Sequence, residues 1–232
     1  MNRLIEFEKK RYTKLYKKYV MDDRLKMIHS WIVKNIQKGS KILDIGCGDG
    51  TFGYDLLKIG YDVYGVDLSE EIVKGAKSRG IKVKVYNVED GLPFESNLFD
   101  CIFAGEIIEH LIDTDNFITE CKRILKKNGF LIITTPNLAS LVNRLLLFFG
   151  KYPFFIEYRI KKNESGHIRA YTLKPLVSQI IEKKLDVYKI LGYEYLEDIK
   201  KTGWKMPFHF ISLIIGKIRP TLARGIVVIS KK

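Results

Sequence analysis

The residues of this sequence best suited to chemistry are two acids that close apolar runs and, further along, a group of carboxylates and imidazoles. In Lys41-Ile-Leu-Asp-Ile-Gly-Cys-Gly-Asp-Gly-Thr51 an apolar run reaches Asp44, and Gly46, Gly48 and Gly50 then alternate around Cys47 and Asp49 before a helix-like segment. Glycines let a backbone turn tightly and let a ligand approach without Cβ contacts. Asp44 offers a carboxylate to an ammonium group, directly or through water. A pyrophosphate binder spaces its glycines as G-x-G-x-x-G; here position 51 is Thr and the next glycine is Gly53, which argues against a dinucleotide. Val63-Tyr-Gly-Val-Asp67 ends a second apolar run in an acid 17–21 positions after the glycines. An acid so placed accepts from both ribose hydroxyls of an adenosine group. Such a ligand needs an open groove between Gly46 and Asp67.

Glu106, Glu109 and His110 are spaced i, i+3 and i+4, so a helix would bring them to one face. Two carboxylates with an imidazole can hold a divalent cation or act as a general base.

Positioning these residues requires a regular scaffold, and the pattern supplies one. Apolar runs rich in β-branched residues (41–45, 62–67, 82–88, 100–104 and 130–135) alternate with helix-like segments at 51–59, 70–78 and 115–125. This alternation predicts a parallel sheet with helices on both faces. Ser69, followed by Glu70 and Glu71, reads as the N-cap of the second helix. Residues 4–36 read as a preceding helical segment that Gly39 stops. After Pro136 the pattern changes: an apolar stretch (138–160) is broken by Arg144, Gly150 and Pro153, and a helix at 173–184 and strands near 187–196 and 226–229 follow. Met206–Ile218 is a further apolar stretch between the last two strands. Core packing is the plain account of the apolar stretches Leu141–Phe149 and Met206–Ile218, with a pocket lid or a membrane interface as alternatives.

No run reaches the roughly 18–20 apolar residues of a membrane-spanning helix, and Met1–Tyr19 has no apolar signal core. Three cysteines without ligand-like spacing (Cys47, Cys101, Cys121) read as small apolar residues in a reducing cytoplasm. The net charge of +13 is unevenly placed. Residues 1–38 carry 11 basic and 4 acidic side chains, residues 39–150 carry 12 and 16, and residues 151–232 carry 17 and 7. Two basic ends favour an anionic partner, either a nucleic acid, a phosphorylated substrate or an anionic membrane surface. Tyr12, Tyr16 and Tyr19 could stack bases, though their helical spacing is also that of packing. Nothing in the sequence sets the oligomeric state.

The stretches LDIGCGDGTF, GVDLS, NVEDGLPF, LFDCIFAGEIIEHL and LKKNGFLIITTPN, in that order over residues 41–136, resemble the class I methyltransferase family that includes ubiquinone-biosynthesis O-methyltransferases and many glycolipid and natural-product enzymes. The resemblance implies a Rossmann-like, mostly parallel seven-stranded sheet with the last strand antiparallel. It makes residues 1–232 a single methyltransferase domain, with an N-terminal helical segment (1–38) and acceptor-side insertions at about 137–170 and 200–220. S-adenosylmethionine is the implied cofactor. Its methionine part falls to Asp44, Gly46, Cys47, Gly48 and Gly50, with Glu106 alongside. Its ribose falls to Asp67 and Leu68, and its adenine edge to Asn87 and Val88. Many relatives have Asp where Asn87 stands; the amide still accepts but lacks the charge.

Glu106-Ile-Ile-Glu109-His110 also resembles the Glu-x-x-Glu-His segment of small-RNA 2′-O-methyltransferases and of ubiquinone-type enzymes, where a divalent ion is held. Gly166-His167-Ile-Arg169-Ala-Tyr171-Thr172 resembles the segment after the fifth strand whose histidine lies over the acceptor pocket. His167 would then complete a Glu106, Glu109, His110, His167 site for Mg²⁺ or a similar ion. The plainer alternative, and the favoured one, is that the Glu-His element orients the cofactor and caps a helix, with His167 a structural hydrogen-bond partner or a lone base (His110 second). An imidazole suits that role because its pKa is near neutral. Arg169 and Tyr171 would orient the acceptor, or else pack and pair at the surface. The favoured expectation is O-methylation of a small, hydrophobic or lipid-linked acceptor by a cytoplasmic enzyme that touches an anionic membrane peripherally. A metal-assisted RNA 2′-O-methyltransferase is the second reading. A non-catalytic S-adenosylmethionine-binding module ranks last, since no cofactor motif is visibly damaged.

Overall fold

Strand β1 (Lys41–Ile45) has four consecutive buried residues, the mark of a strand covered on both faces. Its side chains alternate between two cores: Ile42 enters one, while Leu43 and Ile45 enter the other. In the computed structural model, which describes residues 21–157, 166–194 and 218–232, the same alternation recurs along β4 (Phe99–Gly105) and β7 (Gly225–Lys231). With β2 (Asp62–Asp67), β3 (Lys82–Val85), β5 (Leu125–Pro136) and β6 (Asp186–Tyr193) they form a seven-stranded sheet in the order β3-β2-β1-β4-β5-β7-β6. β7 is antiparallel to both neighbours, and the other pairings are parallel.

Helices α1 (Asp23–Asn35), α2 (Thr51–Lys58) and α3 (Val73–Ser78) cover one face through Leu25, Ile28, Ile32, Phe52, Leu56 and Ala76. Helices α4 (Thr114–Ile124) and α6 (Leu173–Glu182) cover the other through Phe117, Ile118, Ile124, Leu176 and Ile180. Each such aliphatic side chain, fully buried, contributes about 1.5–3 kcal/mol. The three cysteines are free and buried. Helix α5 (Leu141–Phe148) follows β5 and adds to neither core. No helix among the described residues is long and apolar enough to cross a membrane.

Several boundaries differ from the sequence expectation for physical reasons. β3 ends at Val85 rather than 88, because Asn87 Oδ1 accepts from Glu89 N (3.2 Å) and starts a 3₁₀ turn over Val88–Asp90. Ser69 Oγ does receive a capping bond from Ile72 N (3.4 Å), but the first regular turn begins only at Val73. The first 20 residues, with Tyr12, Tyr16 and Tyr19, lie outside the described residues, as do residues 206–217 of the second apolar stretch. Strand order reverses between β1 and β4, and their carboxyl ends therefore open on the switch point where ligands bind in such sheets.

Candidate functional site

At the end of β1 the chain enters left-handed backbone at Gly46, Gly48 and Gly50 (φ 73°, 53° and 76°). Gly50 excludes a side chain outright, and Gly46 admits one only if the Ile107 side chain moves. A Cβ on Gly46 would collide with Ile107, and one on Gly50 would lie 2.8 Å from the Cα of Ala76. Asp49 secures the turn by accepting from Thr51 N (3.0 Å) and Thr51 Oγ1 (2.7 Å) and by pairing with Arg79 (3.1 Å). Cys47 lays its sulfur against Gly65 of β2, and burial pushes its thiol up, so it stays neutral.

Asp67 spans the tips of β1 and β2. Its carboxylate accepts from Gly48 N and from Ser69 N, each at 2.9 Å. Asp44 and Asp67 are both 4% exposed. Burial, then the charge of Asp67, pushes Asp44 up to about 8, with Arg24 opposing. Burial also raises Asp67, while N–H donors from Ser69, Gly48 and Leu68 pull it back. Between Gly46 and Asp67, the Asp67 carboxylate is engaged by its own backbone neighbours and the Ile107 side chain rests on Gly46. Asn87 and Val88 lie one strand further out, at the end of β3, with the Asn87 oxygen engaged by Glu89 N.

The segment after β4 is not the helix that its spacing suggests. Glu106 adopts left-handed backbone (φ 58°), and only Ile108–His110 forms a 3₁₀ turn. Glu106 and Glu109 consequently part. Glu106 Oε1 accepts from Thr134 Oγ1 (3.1 Å) and from the Tyr193 hydroxyl. Glu109, 1% exposed, turns toward the end of β5, where Oε2 accepts from Thr135 Oγ1 (3.0 Å). Burial and the Glu106 charge raise Glu109 well above the ordinary carboxylate range.

Glu109, His110 and His167 come together, with one ligand atom from each within 4.8 Å of the others. His110 Nδ1 lies 3.2 Å from Gly166 O, and His167 Nδ1 lies 2.9 Å from Phe155 O. A carbonyl only accepts, so each Nδ1 carries the hydrogen, and in a neutral ring each Nε2 is left with its lone pair. His167 Nε2 is 3.9 Å from Glu109 Oε1, a buried oxygen with no hydrogen-bond partner among the described residues. A narrow crevice beside this group is walled by Phe154, Phe155, Ile156 and Arg169. Arg169 spends Nε and Nη2 on the carbonyls of Leu111 and Ile112 (2.9 and 2.5 Å). Tyr171 is drawn into the core, its hydroxyl donating to Gln179 Oε1 (3.1 Å).

One prominent residue escaped the sequence reading. Arg24, 5% exposed, reaches from α1 to Thr134 Oγ1 (3.1 Å), and its charge lowers both Asp44 and Glu109. Its signal was positional: with Ile28, Trp31 and Ile32 it lies on the buried stripe of α1, where a cation needs a reason to be.

Comparison with known proteins agrees with this geometry. Residues 43–133 match the family model of the methyltransferase domain. The mitochondrial ubiquinone biosynthesis O-methyltransferase of Homo sapiens is 32% identical over 142 residues, covering 57% of this chain and 38% of that protein. The ubiquinone biosynthesis O-methyltransferase of Pelagibacter ubique is 35% identical over 126 residues, covering 49% of this chain and 52% of that protein. The chain therefore spans 38% to 52% of the length of these two relatives. Among solved structures, a SAM-dependent methyltransferase of Thermotoga maritima, a possible histamine N-methyltransferase, superposes with a TM-score of 0.63 at 20% identity over 97% of this chain and 98% of that one. One from Archaeoglobus fulgidus gives 0.62 at 19% identity over 90% and 94%. At these identities the structural likeness is one of fold.

Proposed function

We propose that this chain, which carries a class I S-adenosylmethionine-dependent methyltransferase domain over residues 43–133, methylates an oxygen of a hydrophobic, lipid-linked acceptor. One observation carries the reading: the acid-and-glycine tips of β1 and β2 adjoin the Glu109–His167 pair at the tips of β4 and β5.

Asp44 takes the ammonium of the cofactor, Asp67 and Leu68 its ribose, and Asn87 and Val88 its adenine edge. The backbone from Gly46 through Cys47, Gly48 and Gly50, with Glu106, lines the methionine end, and Arg24 supplies a cation near its carboxylate. Entry of the nucleoside displaces Ile107 from Gly46. The sulfonium is already activated, so the protein's task is in-line positioning and proton removal. As the acceptor oxygen bonds to the methyl carbon, the carbon–sulfur bond breaks, and S-adenosylhomocysteine remains. The hydroxyl proton moves to His167 Nε2, and the imidazolium is stabilised by Glu109 at 3.9 Å and by the Phe155 carbonyl.

A second use of the same group is favoured by Glu109 Oε1, buried and without a hydrogen-bond partner among the described residues. Glu109, His110 and His167 each bring one ligand atom within 4.8 Å of the others, and each imidazole Nδ1 is held by a carbonyl as at metal centres. They would hold a divalent cation, which would polarise the acceptor oxygen as a Lewis acid. Glu106, bound to Thr134 and Tyr193, stands outside that trio.

The acceptor class rests on α5 and the loop after it. Leu147, Phe148, Phe149, Tyr152 and Phe154 are exposed; the first three lie just before, and the last two open, residues 151–232, which carry 17 basic and 7 acidic side chains. Exposed apolar groups bordered by cations suit the surface of an anionic bilayer, and Phe154 also walls the crevice at His167. Calorimetry with S-adenosylmethionine tests the cofactor reading. Binding is expected in the micromolar range, and Asp67→Ala is expected to weaken it by about tenfold or more, the loss of charge-assisted bonds to the ribose. Unchanged affinity would overturn it.

A further inference from the structure

Helix α5 has the sequence Leu-Val-Asn-Arg-Leu-Leu-Leu-Phe, and its buried residue is the asparagine. Asn143 is 1% exposed, whereas Phe148 is 81% exposed. An amide is withdrawn from water only where its hydrogen bonds are met inside, and those of Asn143 converge on one neighbour. Its Oδ1 accepts from Phe154 N (2.8 Å), and its Nδ2 donates to Phe154 O (3.3 Å) and to Asn137 O (3.3 Å). Asn143 thereby clamps the loop after α5, eleven residues on, to the end of β5.

The next residue, Phe155, sits in left-handed backbone (φ 63°), a conformation that an aromatic residue keeps only where its surroundings enforce it. The Asn143 clamp holds it from the N-terminal side. The buried guanidinium of Arg224 lies 5.3 and 5.2 Å from the ring centroids of Phe154 and Phe155 and holds it from the other. The result of this backbone turn is that Phe155 O points at His167 Nδ1 (2.9 Å).

We infer that Asn143 is a positioning residue for His167: through the Phe154–Phe155 backbone it fixes the imidazole as the Nδ1–H tautomer, with Nε2 presented to Glu109. The role in transfer rests on the proposed function, in which Nε2 meets the acceptor proton; the tautomer itself does not. The test reads the tautomer directly, by ¹H–¹⁵N long-range NMR of the ¹⁵N-histidine-labelled full chain without ligands. It is run at about pH 8.5, two units above the ordinary imidazole pKa.

The wild type is expected to show His167 as a single Nδ1–H form. Asn143→Leu, similar in volume, is expected to lower the Nδ1–H to Nε2–H ratio by about fivefold or more, the worth of one hydrogen bond. Calorimetric affinity for S-adenosylmethionine is expected to stay within about twofold. With acceptor supplied, kcat is expected to fall by about 10–100-fold, the range for residues that orient a functional imidazole. Asn143→Asp keeps the acceptor for Phe154 N and loses both donors, so it should shift the ratio in the same direction. It is the variant to measure if Asn143→Leu does not fold. A folded variant of either kind whose His167 keeps the wild-type tautomer would overturn the inference. Failure of the Asp67→Ala test would count against the cofactor reading and leave this measurement standing.

Discussion

In the strands and helices from β1 to β5 the buried side chains are mainly apolar and the charged ones mainly exposed, whereas in α5 the order is inverted. In β4, Cys101, Ile102 and Ala104 have no exposure at all, and in α2 Leu56 is fully buried while Lys58 is solvated. In α5 the amide of Asn143 is inside, and the rings of Phe148 and Phe149 face water, edge to face with centroids 5.2 Å apart. The first region is a scaffold whose side chains serve the sheet, and its exceptions (Arg24, Asp44, Asp67, Glu109) mark the site. The second region spends its polar contacts on a loop beside His167 and leaves its apolar side chains exposed. On the proposed function, the cofactor side is marked by the polar groups that are buried and the acceptor side by the apolar groups that are exposed.

If the two regions are separate compartments, the largest effect should fall on one alone. His167→Ala is expected to slow methyl transfer by about 10²–10⁴-fold, the range for removing a general base, while calorimetric affinity for S-adenosylmethionine stays within about twofold. A matching loss of cofactor affinity would break the comparison by making the two one site.

A smaller effect belongs to the scaffold side. Asp44 ionises near 3.8 when unfolded and near 8 when folded. Between those values the folded chain holds the extra proton, so the stability of the ligand-free protein falls as pH rises through the window. Cofactor binding runs the opposite way, because the ammonium needs the ionised acid. Affinity by calorimetry is expected to rise by up to about tenfold per unit from about pH 6 to 8, and Asp44→Asn should flatten that slope. A slope that survives Asp44→Asn would assign the proton elsewhere.

The smallest effect on folding sharpens the other side. Phe148→Ser with Phe149→Ser is expected to change unfolding free energy by no more than about 0.5 kcal/mol, as for surface positions. Sedimentation with vesicles containing anionic lipid should drop by about tenfold, the loss of inserted apolar area. Destabilisation by several times that amount in a denaturant titration would show that the rings pack after all.

Much of the scaffold was legible because periodicity and burial agree there. β1 and β2 begin and end where the apolar runs do, and Asp44 and Asp67 fall at their tips as the spacing required. The acceptor side was harder to read because its determinants are not periodic. Glu106 leaves the helical pattern through one left-handed residue, which separates it from Glu109. Leu141–Phe149 looks like core by composition, and only the position of Asn143 in the fold shows which way the helix is turned. Tyr171, chosen for its place beside His167, is claimed instead by Gln179 and the core. Arg24 was hidden by its type, since a charged residue early in a helix is ordinarily solvated.

Ile107 covers Gly46, and Glu109 stands only two positions further along the same short span between β4 and α4. The cover of the glycine turn and the placing of the buried carboxylate are thus written into three consecutive residues of one short connection.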